Sequence, residues 1–478
     1  MSTPSSGSGL KTFTAVIAVI FGLVLLIGGV YLAVLGGSWY YIIAGLLFIA
    51  TAVLLQKLKS TALIVYALLV LGTVVWGLWE VGSDFFALAP RLDILGLFGL
   101  WLLIPAVTRG FDNAKSAKLV LTGSLAITIA VMIYAVFNDP QEIRGELSSK
   151  QPATAQSIPG VADGDWPAYG RTQSGLRYSP LTQINSENVK DLKVAWTYNT
   201  GDFKTENDSG ETTNQVTPIK VGDNMYICTT HQKLVALDPA TGKAKWTFDP
   251  KLKADNTFQH LTCRGVSYYD ANNTAGFEAS LQHKKSSSAL CPRKVILPVN
   301  DGRLVAINAD TGERCTDFGK NGEVDLQKDM PFPYPGGYIP TSPPVVTGTT
   351  IIIAGSTTDN YSTEEPSGVI RGYDVNTGAL LWIFDTGAED PNAIPAPGQK
   401  YVQNSPNAWA PLAYDAALDI VYIPTGVGTP DIWGGNRTEL HERYANSMLA
   451  LNASTGKLVW NFQTTHHDLW DMDVPSQP

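Results

Sequence analysis

Charge is what this sequence has least of. Only 16 % of its 478 residues are Asp, Glu, Lys or Arg, and only four are cysteine. Four cysteines cannot staple a chain of this length, which excludes a disulfide scaffold. The 44 glycines follow no collagen-like period. A surplus of positive charge is also missing, since the formal net charge is −9. An acidic surface repels phosphate, so nucleic-acid binding is excluded. What is present is apolar: 45 % hydrophobic and 10 % aromatic residues exclude disorder.

The mean hydropathy of +0.02 averages two unlike parts. Residues 1–138 carry seven Lys/Arg and four Asp/Glu, whereas residues 139–478 carry 27 and 39. The first part holds five apolar segments, at 13–35, 39–55, 61–79, 92–108 and 118–137. Each approaches the ~20 residues that cross a hydrocarbon core, so an α-helical membrane domain of five spans is expected. The first segment is too long for a signal peptide and lacks a small-residue cleavage site. Lys11, Lys57, Lys59, Arg109, Lys115 and Lys118 fall in alternate loops. The positive-inside rule then puts the N-terminus in the cytoplasm and everything after Asn138 outside, in a bacterial periplasm. Glu80, Asp84, Arg91 and Asp93 read as loop residues, leaving no ionisable group in mid-span. Residues 139–165 read as a linker.

From 166 the pattern changes to short alternating strands and turns. The phrase apolar-x-apolar-Asp/Asn-x-x-Thr-Gly recurs at Leu234–Trp246, Leu304–Cys315, Ile370–Trp382 and Met448–Trp460. Its glycines, Gly242, Gly312, Gly378 and Gly456, are 70, 66 and 78 residues apart. Each phrase predicts a hairpin whose glycine takes a positive φ. Four at near-regular intervals predict a β-propeller, with a weaker first blade around Ala195–Trp196.

These repeats resemble the blades of PQQ-dependent quinoprotein dehydrogenases, which are eight-bladed all-β propellers. The five-span anchor, the WPAY start (Trp166–Tyr169) and the TTHHDLWDMDVPSQP end resemble the membrane-bound glucose/quinate/shikimate dehydrogenase branch. The resemblance implies PQQ, a Ca²⁺ or Mg²⁺ ion, D-glucose as substrate and ubiquinone as electron acceptor within membrane lipid. Quinate or shikimate is the alternative substrate. In such a reaction a carboxylate takes the hydroxyl proton while hydride leaves for the cofactor.

The same resemblance assigns residues. Asp471, in the WD step, is the implied base; Asp468 is a weaker alternative. Asp473, two residues on, would share a strand face with Asp471 and reach the metal. Asp359 and Asn360, in GSTTDN, are the implied metal ligands. His260 and Arg264, in FQHLTCRG, lie at the cofactor, Arg264 against a carboxylate or quinone oxygen. Thr341 offers a hydroxyl, Trp409 a stacking floor, and Thr429 stands beside metal and cofactor. Gln215 stands where soluble relatives carry a Glu that contacts PQQ. His466 and His467 are neighbours on opposite faces of an extended chain, so packing is expected of them rather than shared metal ligation. The four cysteines could pair in three ways.

About five blades fit into residues 166–478, and the chain stops seven residues after Asp471. A ring of eight is then incomplete, with apolar blade faces exposed. Such a chain is not expected to turn over glucose alone, and PQQ-dependent dye reduction by the purified protein tests that. A non-enzymatic propeller scaffold, the remaining alternative, lacks FQHLTCRG and the WDMD step.

Overall fold

The computed structural model describes residues 7–138, 140, 158, 160–208, 210–252, 258–273 and 291–478. Most of the expected linker lies outside them. The chain divides into two units, residues 1–150 and 151–478.

The first unit is helical: α1 (Gly7–Val34), α2 (Tyr40–Gln56), α3 (Thr61–Val81), α4 (Phe85–Leu102), the short α5 (Pro105–Thr108) and α6 (Ala114–Phe137). Four of these are long and apolar enough to cross a membrane, and α2 is a shorter apolar helix. Small residues let α1 and α2 touch: a Cβ on Gly45 would stand 2.7 Å from the Gly22 carbonyl oxygen. Lys11 donates to the Arg109 carbonyl and Lys59 pairs with Asp112 at 3.4 Å, so these three termini share one end of the bundle. The fourth segment is corrected. The helix α4 starts seven residues before the expected 92, because Asp84 caps it by accepting from the Ala87 N–H at 3.1 Å. Arg91 and Asp93 therefore sit in a helix, not a loop. Arg91 is accommodated by Glu80, 2.9 Å away, and by the Trp76 ring.

The second unit contains four four-stranded antiparallel sheets among the described residues. After the short β1 (Glu211–Thr212), blade one is β2 (Ile219–Val221), β3 (Asn224–Cys228), β4 (Leu234–Leu237) and β5 (Ala244–Phe248). The strand β6 (His260–Leu261), parallel to β1, precedes blade two: β7 (Ser267–Asp270), β8 (Arg293–Val299), β9 (Arg303–Asn308) and β10 (Glu323–Asp325). Next come β11 (Tyr338–Ile339) and blade three: β12 (Val345–Val346), β13 (Thr350–Ile353), β15 (Ile370–Asp374) and β16 (Leu380–Phe384). The short β14 (Ser356–Thr357) pairs with β11. Blade four is β17 (Ala413–Asp415), β18 (Ile420–Pro424), β19 (Ser447–Asn452) and β20 (Leu458–Gln463).

The repeated phrase is the hairpin between the last two strands of blades one, three and four. Asp238 shows its logic: its carboxylate accepts from the N–H and hydroxyl of Thr241 at 2.8 and 3.0 Å, and Gly242 follows at φ +68°. That glycine receives an indole from the preceding repeat. Trp196 lies on Gly242, Trp246 on Gly312 and Trp382 on Gly456, each ring 2.4–2.7 Å from where a Cβ would stand. Blade two ends its phrase in Cys315 instead of Trp, and Gly378 packs on Gly319 and Val324. The fifth unit expected around Ala195–Trp196 forms no strand. No described residue there offers it a paired neighbour, and Trp196 serves only as the indole docked on blade one. Buried cores fill the spaces between successive blades, while Val459, Trp460 and Phe462 on blade four are exposed. Of the three possible pairings, the disulfides are Cys228–Cys263 and Cys291–Cys315.

Candidate functional site

The segments entering the blades' first strands, the loop between β14 and β15 and the C-terminal segment carry the chemistry. These approaches meet around a cavity of about 280 Å³ that is lined by Gln215, His260, Arg264, Thr341, Asp359, Trp409, Asp471 and Asp473. Eight of the ten nominated residues thus share one wall system. A larger cavity of about 440 Å³ lies beside residues 160–176 and contains none of them.

Alternation along 260–264 explains three contributions. His260, Thr262 and Arg264 face the cavity, while Leu261 and the disulfide-bonded Cys263 are buried. Arg264 donates to the Thr341 hydroxyl, and its guanidinium stands 4.9 Å from the centroid of Trp409. Cation and aromatic face therefore occupy one wall. Burial lowers the Arg264 pKa from its ordinary value. His260 places Nδ1 3.2 Å from Glu211 and Nε2 3.7 Å from Asp359. Asp359, followed by Glu211, raises its pKa. Gln215 is exposed at the rim and donates to Thr213 at 3.2 Å.

The C-terminal segment is not a strand, so the expectation of one strand face for Asp471 and Asp473 is corrected. A turn brings both to the cavity. Buried Asp468 accepts from the N–H groups of Trp470 and Met472 at 2.9 and 2.6 Å, and Asp471 follows at φ +59°. Asp468 is thus committed to holding the turn. Asp473 accepts from Trp409 Nε1 and from the Val427 N–H at 3.2 Å. Its approach needs Gly426, where a Cβ would lie 2.3 Å from its Oδ1. Burial, then the charges of Asp359 and Asp468, raise the Asp471 carboxyl. Burial pushes Asp473 up to about 6, with Asp471 adding to the shift. His466 and His467 are exposed and do not pack, which corrects that expectation; His467, at φ +47°, instead pairs with Glu442 at 3.0 Å.

Asn360 and Thr429 do not line the cavity. Asn360, at φ +52°, turns its side chain to the neighbouring loop, accepting from the Ile432 N–H at 3.2 Å. Thr429 is buried, its carbonyl accepting from Asn404 at 2.7 Å. The sequence reading missed Glu211, Thr213, Thr262 and Asp431. The i, i+2 alternation from His260 points to Thr262; Asp431 stands two residues after Thr429 in the same motif. Asp431 is buried, and burial with the charges of Asp359, Asp471 and Asp473 pushes its pKa up to about 9.

A family model described as "PQQ: Glucose/ethanol/alcohol dehydrogenase, beta-propeller domain" matches residues 166–478. The chain belongs to this family. A quinoprotein glucose dehydrogenase A of Acinetobacter calcoaceticus is 73 % identical over all of this chain and 60 % of its own length. The quinoprotein glucose dehydrogenase of Escherichia coli is 58 % identical over 98 % of this chain and 58 % of its own length. A quinate/shikimate dehydrogenase (quinone) of Acinetobacter baylyi is 38 % identical over 96 % and 57 %. The chain spans about three fifths of the length of the curated relatives it matches.

Membership in this PQQ family implies PQQ as cofactor, and the donor set fits a flat polycarboxylate. Arg264 and Thr341 supply charge and hydroxyl beside the Trp409 ring, and buried Thr262 Oγ1 makes no hydrogen bond. Facing them, Asp359, Asp471 and Asp473 offer carboxylate oxygens, the donor type that a hard cation takes. Among the described residues no three His, Cys, Asp or Glu side chains already stand at ligating distance of one point.

Proposed function

We propose that this chain is the membrane anchor and PQQ-binding region of an enzyme that oxidises D-glucose to gluconolactone and passes electrons to ubiquinone. The observation that carries the reading is the convergence of Arg264, Thr341, Trp409, Asp359, Asp471 and Asp473 on one cavity. Bound PQQ supplies a two-electron acceptor. Arg264 and Thr341 hold its carboxylates and Trp409 floors the ring. Asp471 takes the proton from the sugar's C1 hydroxyl, and His260, held between Glu211 and Asp359, orients the sugar at the rim. Asp359, Asn360 and Asp473 hold Ca²⁺ or Mg²⁺, which offsets the negative charge the two carboxylates share.

The propeller faces the periplasm and the N-terminus the cytoplasm. Supporting this, Lys11, Lys59 and Arg109 gather at one end of the helical bundle. The stronger likeness to glucose than to quinate enzymes favours glucose. Adding glucose or quinate to the PQQ-loaded chain and following the cofactor's absorbance tests the choice. Glucose is expected to saturate the change at concentrations at least about tenfold lower, or ~1.4 kcal/mol of discrimination. A response to quinate alone contradicts it.

A further inference from the structure

His260 and Asp359 both line the cavity, and the residue before His260 reaches for the same aspartate. Gln259 lays its side-chain amide along the Asp359 backbone. Its Nε2 donates to the Asp359 carbonyl and its Oε1 accepts from the Asp359 N–H, both at 2.7 Å. A Gln amide carries one acceptor oxygen and a donor NH₂, so it serves Asp359 as a neighbouring strand would, from 100 residues away. The main chain of Gln259 is engaged as well. Its carbonyl accepts from the Glu211 N–H at 2.7 Å. That approach needs Gly210, where a Cβ would stand 2.1 Å from the same oxygen. Glu211 and Asp359 are the two carboxylates that flank His260, so one residue sets both.

The loop that carries Asp359 has other anchors. The Thr358 N–H donates to the Gly337 carbonyl at 3.1 Å, and its hydroxyl meets that of Tyr334. Asn360 accepts from the Ile432 N–H at 3.2 Å. Buried Glu365 accepts from the Ser362 N–H and from Tyr334, both at 2.8 Å. Loss of the Gln259 amide therefore lets the Asp359 peptide turn between two held neighbours and takes its carboxylate along.

We propose that Gln259 is the positioning residue of the cation site, fixing the direction in which Asp359 presents its carboxylate; this rests on the reading of Asp359 as a cation ligand given above. With both main-chain groups of Asp359 engaged, its carboxylate is the part left to face the cavity. Ligands aimed in advance by such partners hold a metal more tightly than ligands free to swing.

The test is calcium binding by the metal-stripped, detergent-solubilised chain, read by calorimetry without turnover. The native chain is expected to take up one Ca²⁺. Gln259→Met keeps the side chain's length and loses both bonds. It is expected to weaken binding about tenfold or more while unfolding in EDTA at the native temperature. Asp359→Asn is expected to weaken binding directly. Because Gln259 acts through that carboxylate, adding Gln259→Met to Asp359→Asn should cost a smaller factor than it does in the native chain. An equal factor in both backgrounds marks a merely structural residue and overturns the proposal. Should Gln259→Met not fold, Gln259→Asn decides, since its amide stops one methylene short of Asp359: a loss supports the proposal and native affinity overturns it. Native affinity in folded Gln259→Met beside a weakened Asp359→Asn overturns this inference alone. Native affinity in Asp359→Asn, or no calcium uptake by the native chain, overturns it together with the cation site.

Discussion

At the scale of single residues, the proposed roles divide into groups that touch the reacting sugar and groups that only hold them in place. Asp471→Asn removes the proposed base while leaving the proposed PQQ wall of Arg264, Thr341 and Trp409 intact. It should slow single-turnover reduction of the bound cofactor by glucose, a half-reaction that needs no electron acceptor, about 10²–10⁴-fold, with PQQ affinity unchanged in the same stopped-flow preparation. Gly426→Ala acts at one remove. Its Cβ would overlap Asp473 Oδ1 and push that carboxylate off Trp409 and Val427. Calcium affinity should fall about tenfold, or ~1.4 kcal/mol, and unchanged titrations would sink the idea. Motif likeness made His260, Arg264 and Trp409 legible. Glu211 and Asp431 were hidden because their meaning depends on neighbours 49 and 71 residues away.

At the scale of elements, the phrase Asp/Asn-x-x-Thr-Gly was legible because its turn is local. The side-chain oxygen caps the turn and glycine supplies the positive φ. What each glycine receives was not legible, since the docked indole comes from the previous repeat. Gly456→Ala meets Trp382 at 2.4 Å at φ +70°, whereas Gly398→Ala has open space at φ +87°. Both carry the backbone strain; only the first adds overpacking. Denaturant unfolding should show Gly456→Ala costlier by about 1–3 kcal/mol, and equal costs would remove the docking argument. The start of α4 was misread for a similar reason: Arg91 belongs in a helix because Glu80, on α3, accepts it.

A second element-level prediction concerns the loop that leads to β1. His231 places Nδ1 2.7 Å from Asp202 and Nε2 3.2 Å from Asp208. Burial pushes both carboxyls up, but hydrogen bonds from Thr229 and His231 to Asp202, and from Thr205 and His231 to Asp208, outweigh it. The net direction is below the ordinary 3.8. A lowered folded pKa gives stability that is present above 3.8 and is lost as pH falls through the folded value. Urea midpoints should therefore drop below pH 4, and His231→Gln should flatten that drop. A variant with an unaltered acid limb contradicts it.

At the scale of the whole molecule, the division into a helical unit and an acidic β unit was readable from charge and hydropathy alone. The propeller class was readable from period. The expected first blade was not, because a strand exists only where a neighbour pairs with it, and among the described residues Trp196 finds none. The central claim is that the cavity between the blade entrances holds PQQ. Titrating PQQ into the purified chain with Ca²⁺, followed by tryptophan fluorescence, tests it most directly. The account predicts saturable binding of one PQQ per chain, weakened at least about tenfold (~1.4 kcal/mol) by Arg264→Ala and by Trp409→Ala. No saturable binding, or binding indifferent to both substitutions, would contradict it.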